Sequence, residues 1–350
     1  MNVVLLAPWF RTLAQLHGAE LAKSGHDVRV LTTDAHVQPS YRLVDEVVVP
    51  ARLRSVDGAR GAMTLWRATG APQPDVALLD ETWDPRFLAA ARRAERVIVA
   101  VHDARPHDDA QRKAGWQQRL MGRTRGAAAE FVCFGDSVAA ELAPLGRPVT
   151  QLPLTSELPD DLAPAPQPAE ARRDFVLLGR MHPYKNLRAV LRAWRLHQTS
   201  SDYAGDRLVV WGTGDLPDID DSTVVVRREG FDLVGAAREL ATFKGSISAY
   251  TAASQSGVQV LSMQCGVASI VSRRGALVAT QPPELRDRAV EPDDVQGIAA
   301  ELGRLAHPVT AARDGSLSRA WYDARHAQGE VGRRLTALVD RSVDVPVAAL

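Results

Sequence analysis

The apolar residues of this chain fall into short unbroken runs, separated by stretches in which apolar positions recur at helical spacing. Asn2–Ala7 is a continuous apolar run, the pattern of a strand buried on both faces of a parallel sheet. Pro8 to Arg11 reads as a loop. Leu13, Leu16, Ala19, Leu21 and Ala22 then repeat with a helical period, Ser24-Gly25-His26 ends that helix, and Val28–Thr32 reads as the next strand. A strand, loop, helix and strand in this order open a doubly wound sheet.

The alternation continues. Strands are expected at Glu46–Val49, Val76–Leu79, Val97–Val101 and Glu130–Phe134, with helices at Phe87–Arg96 and at Ser137–Leu145, the latter capped by Ser137. From Leu158 to Arg172 the composition changes to LPDDLAPAPQPAEAR, a proline- and alanine-rich linker. Beyond it, strands are expected at Phe175–Leu178, Leu208–Trp211, Val224–Arg227 and Ala268–Ser272, and helices at Leu187–His197, near Ala236–Thr242, at Val258–Gln264 and at Asp293–Ala306. The pattern predicts two α/β domains with parallel sheets, at 1–158 and 173–318, joined by a linker at 159–172, with a ligand cleft between them.

Composition narrows the function. With 350 residues, 45% hydrophobic and 24% charged, the chain has material for two large cores. A formal net charge of +0 argues against a general nucleic-acid binder but not against a local basic site. Cys133 and Cys265 lie apart in apolar contexts, as buried free thiols of a reducing compartment would. The first apolar run is too short to span a membrane and lacks a basic leader, so a cytoplasmic protein is expected.

Chemistry concentrates in FVLLGRMHPYKNLRAVLRAW, Phe175 to Trp194. Arg180 and Lys185 stand where a strand ends and a helix begins, at the sheet edge where ligands bind. An arginine fork and a lysine point charge beside free helix N–H groups would hold a diphosphate. Spacing alone also allows two solvated surface cations. His102-Asp103, just after an apolar run, reads as a hydrogen-bond donor or proton carrier for a substrate, or as a histidine satisfied by neighbouring protein groups.

These residues resemble the retaining glycosyltransferases of the two-domain GT-B fold. Gly179-Arg180 with Lys185-Asn186-Leu187 looks like their "GR…KN" donor-phosphate motif. His17 before Gly25-His26-Asp27-Val28 resembles the N-terminal "H…GHeV" pattern, and His102-Asp103-Ala104-Arg105-Pro106 the "HD…P" strand end. Gly212-Thr213-Gly214 resembles the "G.G" turn, Cys265-Gly266-Val267 the "cGvP" step and Pro292-Asp293-Asp294 the "PdD" helix start. These matches run in order over most of the chain. The resemblance implies two Rossmann-like domains, transfer of a sugar from a UDP-, GDP- or other nucleoside-diphosphate sugar to a hydroxyl acceptor with retention, and no cofactor or obligatory metal. It implies Arg180 and Lys185 on the donor diphosphate and His102 near the reacting centre. It also implies that the segment 319–350, with Trp321-Tyr322, forms a last helix returning to the N-terminal domain.

The chain departs from the family pattern at one place. Two glutamates are expected in a segment like "EGFG…LEAMA.G", but Ser254 to Gly266 contains neither. Gln255, Ser256, the backbone at Gly257, and Ser262 are the groups left to meet a sugar or ribose, while Ser254 and Ser256 could equally cap a helix. Gly179, Asn186 and Gly212 complete the expected donor side; Trp9, Arg11 and His17 are the expected acceptor side, with Asp103 beside His102. Trp9 reads as a stacking platform or as packing. The basic stretch 111–125 reads as an anionic-membrane contact, next to a lipid-linked acceptor, or as a solvated face. His107, Asp108 and Asp109 match no tight metal-ligand spacing. The rival readings are a non-catalytic carbohydrate-binding or partner subunit of the same fold, and a sugar-nucleotide epimerase or hydrolase. A dinucleotide oxidoreductase fits least, since Gly212-Thr213-Gly214 lacks the third glycine.

Overall fold

A computed structural model of the chain describes residues 1–35, 42–53, 55–70, 72–106 and 113–341. Contacts divide it into two compact units. One runs from Met1 to Pro153 and is completed by the C-terminal piece from Gln328; the other is Leu154–Ala327.

The first unit contains β1 (Asn2–Ala7), α1 (Arg11–Lys23), β2 (Asp27–Thr33), β3 (Asp45–Val49), α2 (Val56–Ala68), β4 (Val76–Asp80), α3 (Pro85–Ala91), β5 (Arg96–Val101), α4 (Gly115–Gly126), β6 (Glu130–Cys133), α5 (Asp136–Leu142) and β7 (Val149–Gln151). Its sheet has the order β3-β2-β1-β4-β5-β6-β7, every pair parallel. The winding direction reverses between β1 and β4, which makes that gap the switch point where such sheets receive ligands. Leu6, Leu79, Val99 and Phe131 are fully buried within this sheet, the reason these strands read as unbroken apolar runs.

The second unit contains β8 (Arg173–Leu178), α6 (Leu187–Gln198), β9 (Leu208–Trp211), β10 (Val224–Arg227), α7 (Leu233–Leu240), β11 (Phe243–Ser248), α8 (Gly257–Gln264), β12 (Ser269–Val271), α9 (Leu277–Thr280), α10 (Val295–Ala306) and α11 (Pro308–Arg325). The sheet order is β10-β9-β8-β11-β12, again all parallel, with its switch point between β8 and β11.

Several local expectations are corrected. The helix expected at Phe87–Arg96 stops at Ala91, because Arg96 already opens β5. Helix α5 starts at Asp136 behind an extended Gly135, so Ser137 lies inside it rather than capping it. The proline-rich segment packs on the second unit: Leu158 is buried in its core, its carbonyl receives the Gln264 side chain, and Arg172 donates to the carbonyls of Phe243 and Gly266. Helix α11, which carries Trp321 and Tyr322, belongs to the second unit. The return to the first unit starts at Gln328 and is made by α12 (Gln328–Val339), which packs on α1. There Gly332 lies so close to Glu20 that a Cβ on it would sit 2.4 Å from the Glu20 Cβ. Arg96 fastens the far end of α12 through the carbonyls of Leu338 and Val339 while pairing with Glu130 at 2.7 Å.

Candidate functional site

In the second unit the polar groups gather at the switch point. Strand β8 ends at Leu178, and Gly179 follows with φ 106°, a left-handed conformation that favours glycine. The turn after β9 backs this loop. Gly179 N donates to Trp211 O, Met181 N donates to Thr213 O, and a Cβ on Gly212 would meet Gly179 O at 1.9 Å. Gly212 thus lets two backbones touch.

Arg180 is exposed, and among the described residues it enters no ion pair. Lys185 is buried. Its ammonium donates to Leu178 O at 3.0 Å and Tyr250 Oη at 2.9 Å, and lies 4.6 Å from the centre of the Tyr250 ring. Gly179 covers it: a Cβ there would stand 3.1 Å from Lys185 Nζ and 3.4 Å from a Val258 methyl. Lys185 and the start of α8 therefore flank one glycine. The N-terminal turn of α8 leaves backbone N–H groups open to an anion, and Gly257 faces open space.

Tyr250, two residues beyond β11, was not singled out by sequence reasoning. Burial by itself would raise its hydroxyl pKa. The charge of Lys185 and the hydrogen bonds from Lys185, Ser248 and Ser256 outweigh that and hold it below the ordinary tyrosine value.

The other residues expected on the donor side have partners within the protein. Asn186, left-handed at φ 61°, donates its side-chain amide to the carbonyls of Ala249 and Pro292, tying the loop to the unit. The Ser262 hydroxyl is buried and donates to Val258 O one turn back in its own helix. Ser256 accepts from Gln259 N as the cap of α8. Gln255 is half-buried beside it.

In the first unit, β1, β4 and β5 deliver their chemistry to the same sheet edge. His102, just past β5, lies between the rings of Phe10 (centroids 3.8 Å apart) and Phe134 (4.8 Å), with Nε2 3.3 Å from Asp80 Oδ1 at the end of β4. Asp103 follows, half-buried. Asp80 was also missed, although a carboxylate closing the run VALLD was visible. Trp9 lies 5.2 Å from Trp83 with the rings tilted by 32°, and Trp83 meets the exposed Trp116 edge-on at 5.4 Å.

Arg11 and His17, expected on the acceptor side, both lie on α1 of the first unit. Arg11 forks onto Glu46, which Gln15 also contacts. His17 is buried against a small cavity of about 20 Å³ that Phe10, Asp80 and His102 help to line. Burial, then the neighbouring His102, lowers its pKa to about 4. Of the basic stretch 111–125, residues 113–125 are described: α4 is largely exposed, anchored through Thr124 to Thr82 O, and Arg125 pairs with Glu81. His107, Asp108 and Asp109 lie outside the described residues. Among the described residues no three His, Cys, Asp or Glu side chains form a metal-binding group, and no helix is long and apolar enough to cross a membrane.

Two all-parallel, doubly wound units, each with its polar groups at the switch point, define a protein of the GT-B fold. Residues 172–307, within the second unit, match the family model described as Glycosyl transferases group 1. Among solved structures the chain is similar to sucrose-phosphate synthase from Thermosynechococcus elongatus (16% identity, TM-score 0.71, covering 97% of this chain and 98% of that one). It is also similar to HepE from Anabaena in complex with UDP and glucose (11% identity, TM-score 0.68, 97% and 99% covered). A third is the trehalose 6-phosphate synthase of Burkholderia multivorans (11% identity, TM-score 0.66, 97% and 96% covered). At these identities the likeness concerns the fold. No curated protein matches the chain in sequence.

Proposed function

We propose that the chain moves a sugar from a nucleoside-diphosphate sugar to a hydroxyl acceptor, with retention of anomeric configuration. The observation that carries this reading is Lys185, a buried ammonium covered by a residue without a side chain, Gly179, at the switch point of the second sheet. A diphosphate over Gly179 would meet this cation, the Arg180 fork and the open backbone of α8. Such fixed positive groups oppose the charge that develops on the leaving diphosphate as the glycosidic bond breaks. UDP bound to Anabaena HepE supports a nucleoside diphosphate as the ligand class.

For the acceptor side we assign His102, with Asp80 on its Nε2, as the group that hydrogen-bonds or carries a proton for a sugar hydroxyl. The acceptor itself, free or lipid-linked, is left to assay. Calorimetric titration with UDP and GDP tests the donor side. Arg180→Ala and Lys185→Met should each weaken the nucleotide that binds by tenfold or more, about 1.4 kcal/mol. Unchanged binding in both variants refutes the assignment. NMR of the product anomeric proton tests retention, and donor consumption without an acceptor would favour the hydrolase reading.

A further inference from the structure

We infer that Tyr250 is a positioning residue for Lys185: its fixed hydroxyl holds the ammonium under Gly179, where a diphosphate can reach it. The inference rests on the donor-site reading above and deepens it.

A buried ammonium is costly unless its donors are met. Among the described residues Lys185 has no carboxylate partner. Its donors go to one backbone carbonyl and to Tyr250 Oη. An ammonium has three N–H groups, so one is left for a ligand. The carbonyl of Leu178 alone would not fix the direction of a long, flexible side chain. Tyr250 supplies the second anchor, and it is itself held at both ends. Its carbonyl takes the Ser272 hydroxyl at 2.6 Å, its Oη takes the Ser248 hydroxyl at 3.2 Å, and its ring packs edge-on against Tyr184. Lys185 and Ser248 donate to the phenol oxygen, and the Ser256 side chain is its third hydrogen-bond partner, so the hydroxyl is held from three sides. A phenol also balances the lysine differently from a carboxylate: it accepts the hydrogen bond without cancelling a full charge, so positive potential remains for the diphosphate.

The test is a double-mutant cycle on nucleotide affinity, by calorimetry with UDP and GDP on the full chain. Tyr250→Phe removes the hydroxyl and keeps the ring. It should weaken the nucleotide about tenfold in the wild-type background and leave it unchanged in the Lys185→Met background. Weakening by the same factor in both backgrounds would mean that Tyr250 only supports the fold, and it overturns the inference, as does unaltered affinity in Tyr250→Phe. Ser248→Ala gives the same comparison with a smaller change, two- to threefold, should Tyr250→Phe not fold. If neither nucleotide binds the wild type, or Lys185→Met binds as the wild type does, the donor-site reading itself fails. If Lys185→Met weakens binding and Tyr250→Phe does not, that reading stands and only the role of Tyr250 falls.

Discussion

Acid should destabilise the first unit through His17, and the effect can be sized. The side chain is 7% exposed, and its Nε2 has no hydrogen-bond partner. Folded, it resists protonation down to about 4, whereas the ordinary value is 6.5. Between those values the unfolded chain binds more protons than the folded one. The stability contributed by a neutral His17 is therefore complete above about pH 6.5, falls as pH falls, and is gone below about pH 4. At 1.36 kcal/mol per pH unit the interval from 6.5 to about 4 is worth about 3 kcal/mol. His17→Leu fills a similar volume and cannot titrate. Thermal unfolding of both proteins at pH 7.5, 6.0 and 4.5 isolates the histidine, because every other titrating group is common to the two. The variant should match or exceed the wild type at pH 7.5, since an unpartnered buried nitrogen is removed, and should pull ahead as the solution becomes acidic. Equal pH dependence in the two proteins, or a His17 ring resonance titrating near 6.5, refutes the reasoning.

Two further outcomes follow from packing. Glu130→Ala leaves Arg96 buried without its carboxylate, both side chains being 6% exposed, and should cost about 3–5 kcal/mol in urea unfolding of the first unit; a loss below about 1 kcal/mol would show that Arg96 is satisfied by the α12 carbonyls alone. Gly212→Ala drives a Cβ to 1.9 Å from Gly179 O, so nucleotide affinity should fall at least tenfold while the far-UV circular dichroism stays near that of the wild type; wild-type affinity would mean that the loop of Gly179 is free to move.

Much of the fold is legible because a parallel sheet buries each strand on both faces. Val3–Ala7, Phe175–Leu178 and Leu208–Trp211 are pure apolar runs, and all three lie in sheet interiors. Strand β11 escapes this rule although it sits beside β8 in the middle of its sheet. Its sequence, FKGSIS, breaks the apolar run with groups whose partners are remote: Lys244 pairs with Asp206 at 2.7 Å, and Ser246 with Ser269 at 2.6 Å. Helix α2 is also illegible from periodicity, because two of its buried positions, Gly58 and Gly61, are glycines.

The site divides in the same way. That Arg180, Lys185 and His102 follow strand ends is local information, and the sheet edge they reach follows from it. Which cation stays available to a ligand is not local. Arg11 and Arg125 also stand beside sheet edges, but Glu46 and Glu81 occupy their forks. Arg180 and Lys185 differ by what surrounds them: an exposed fork without an ion-pair partner among the described residues, and a buried ammonium whose nearest acceptors are a carbonyl and a phenol rather than a carboxylate. An anionic ligand binds where positive charge is fixed but not yet neutralised. The acceptor that leaves Lys185 in that state, Tyr250, is 65 residues away in sequence, so the choice of tyrosine over carboxylate at one remote position decides whether a lysine legible in a motif can serve a diphosphate.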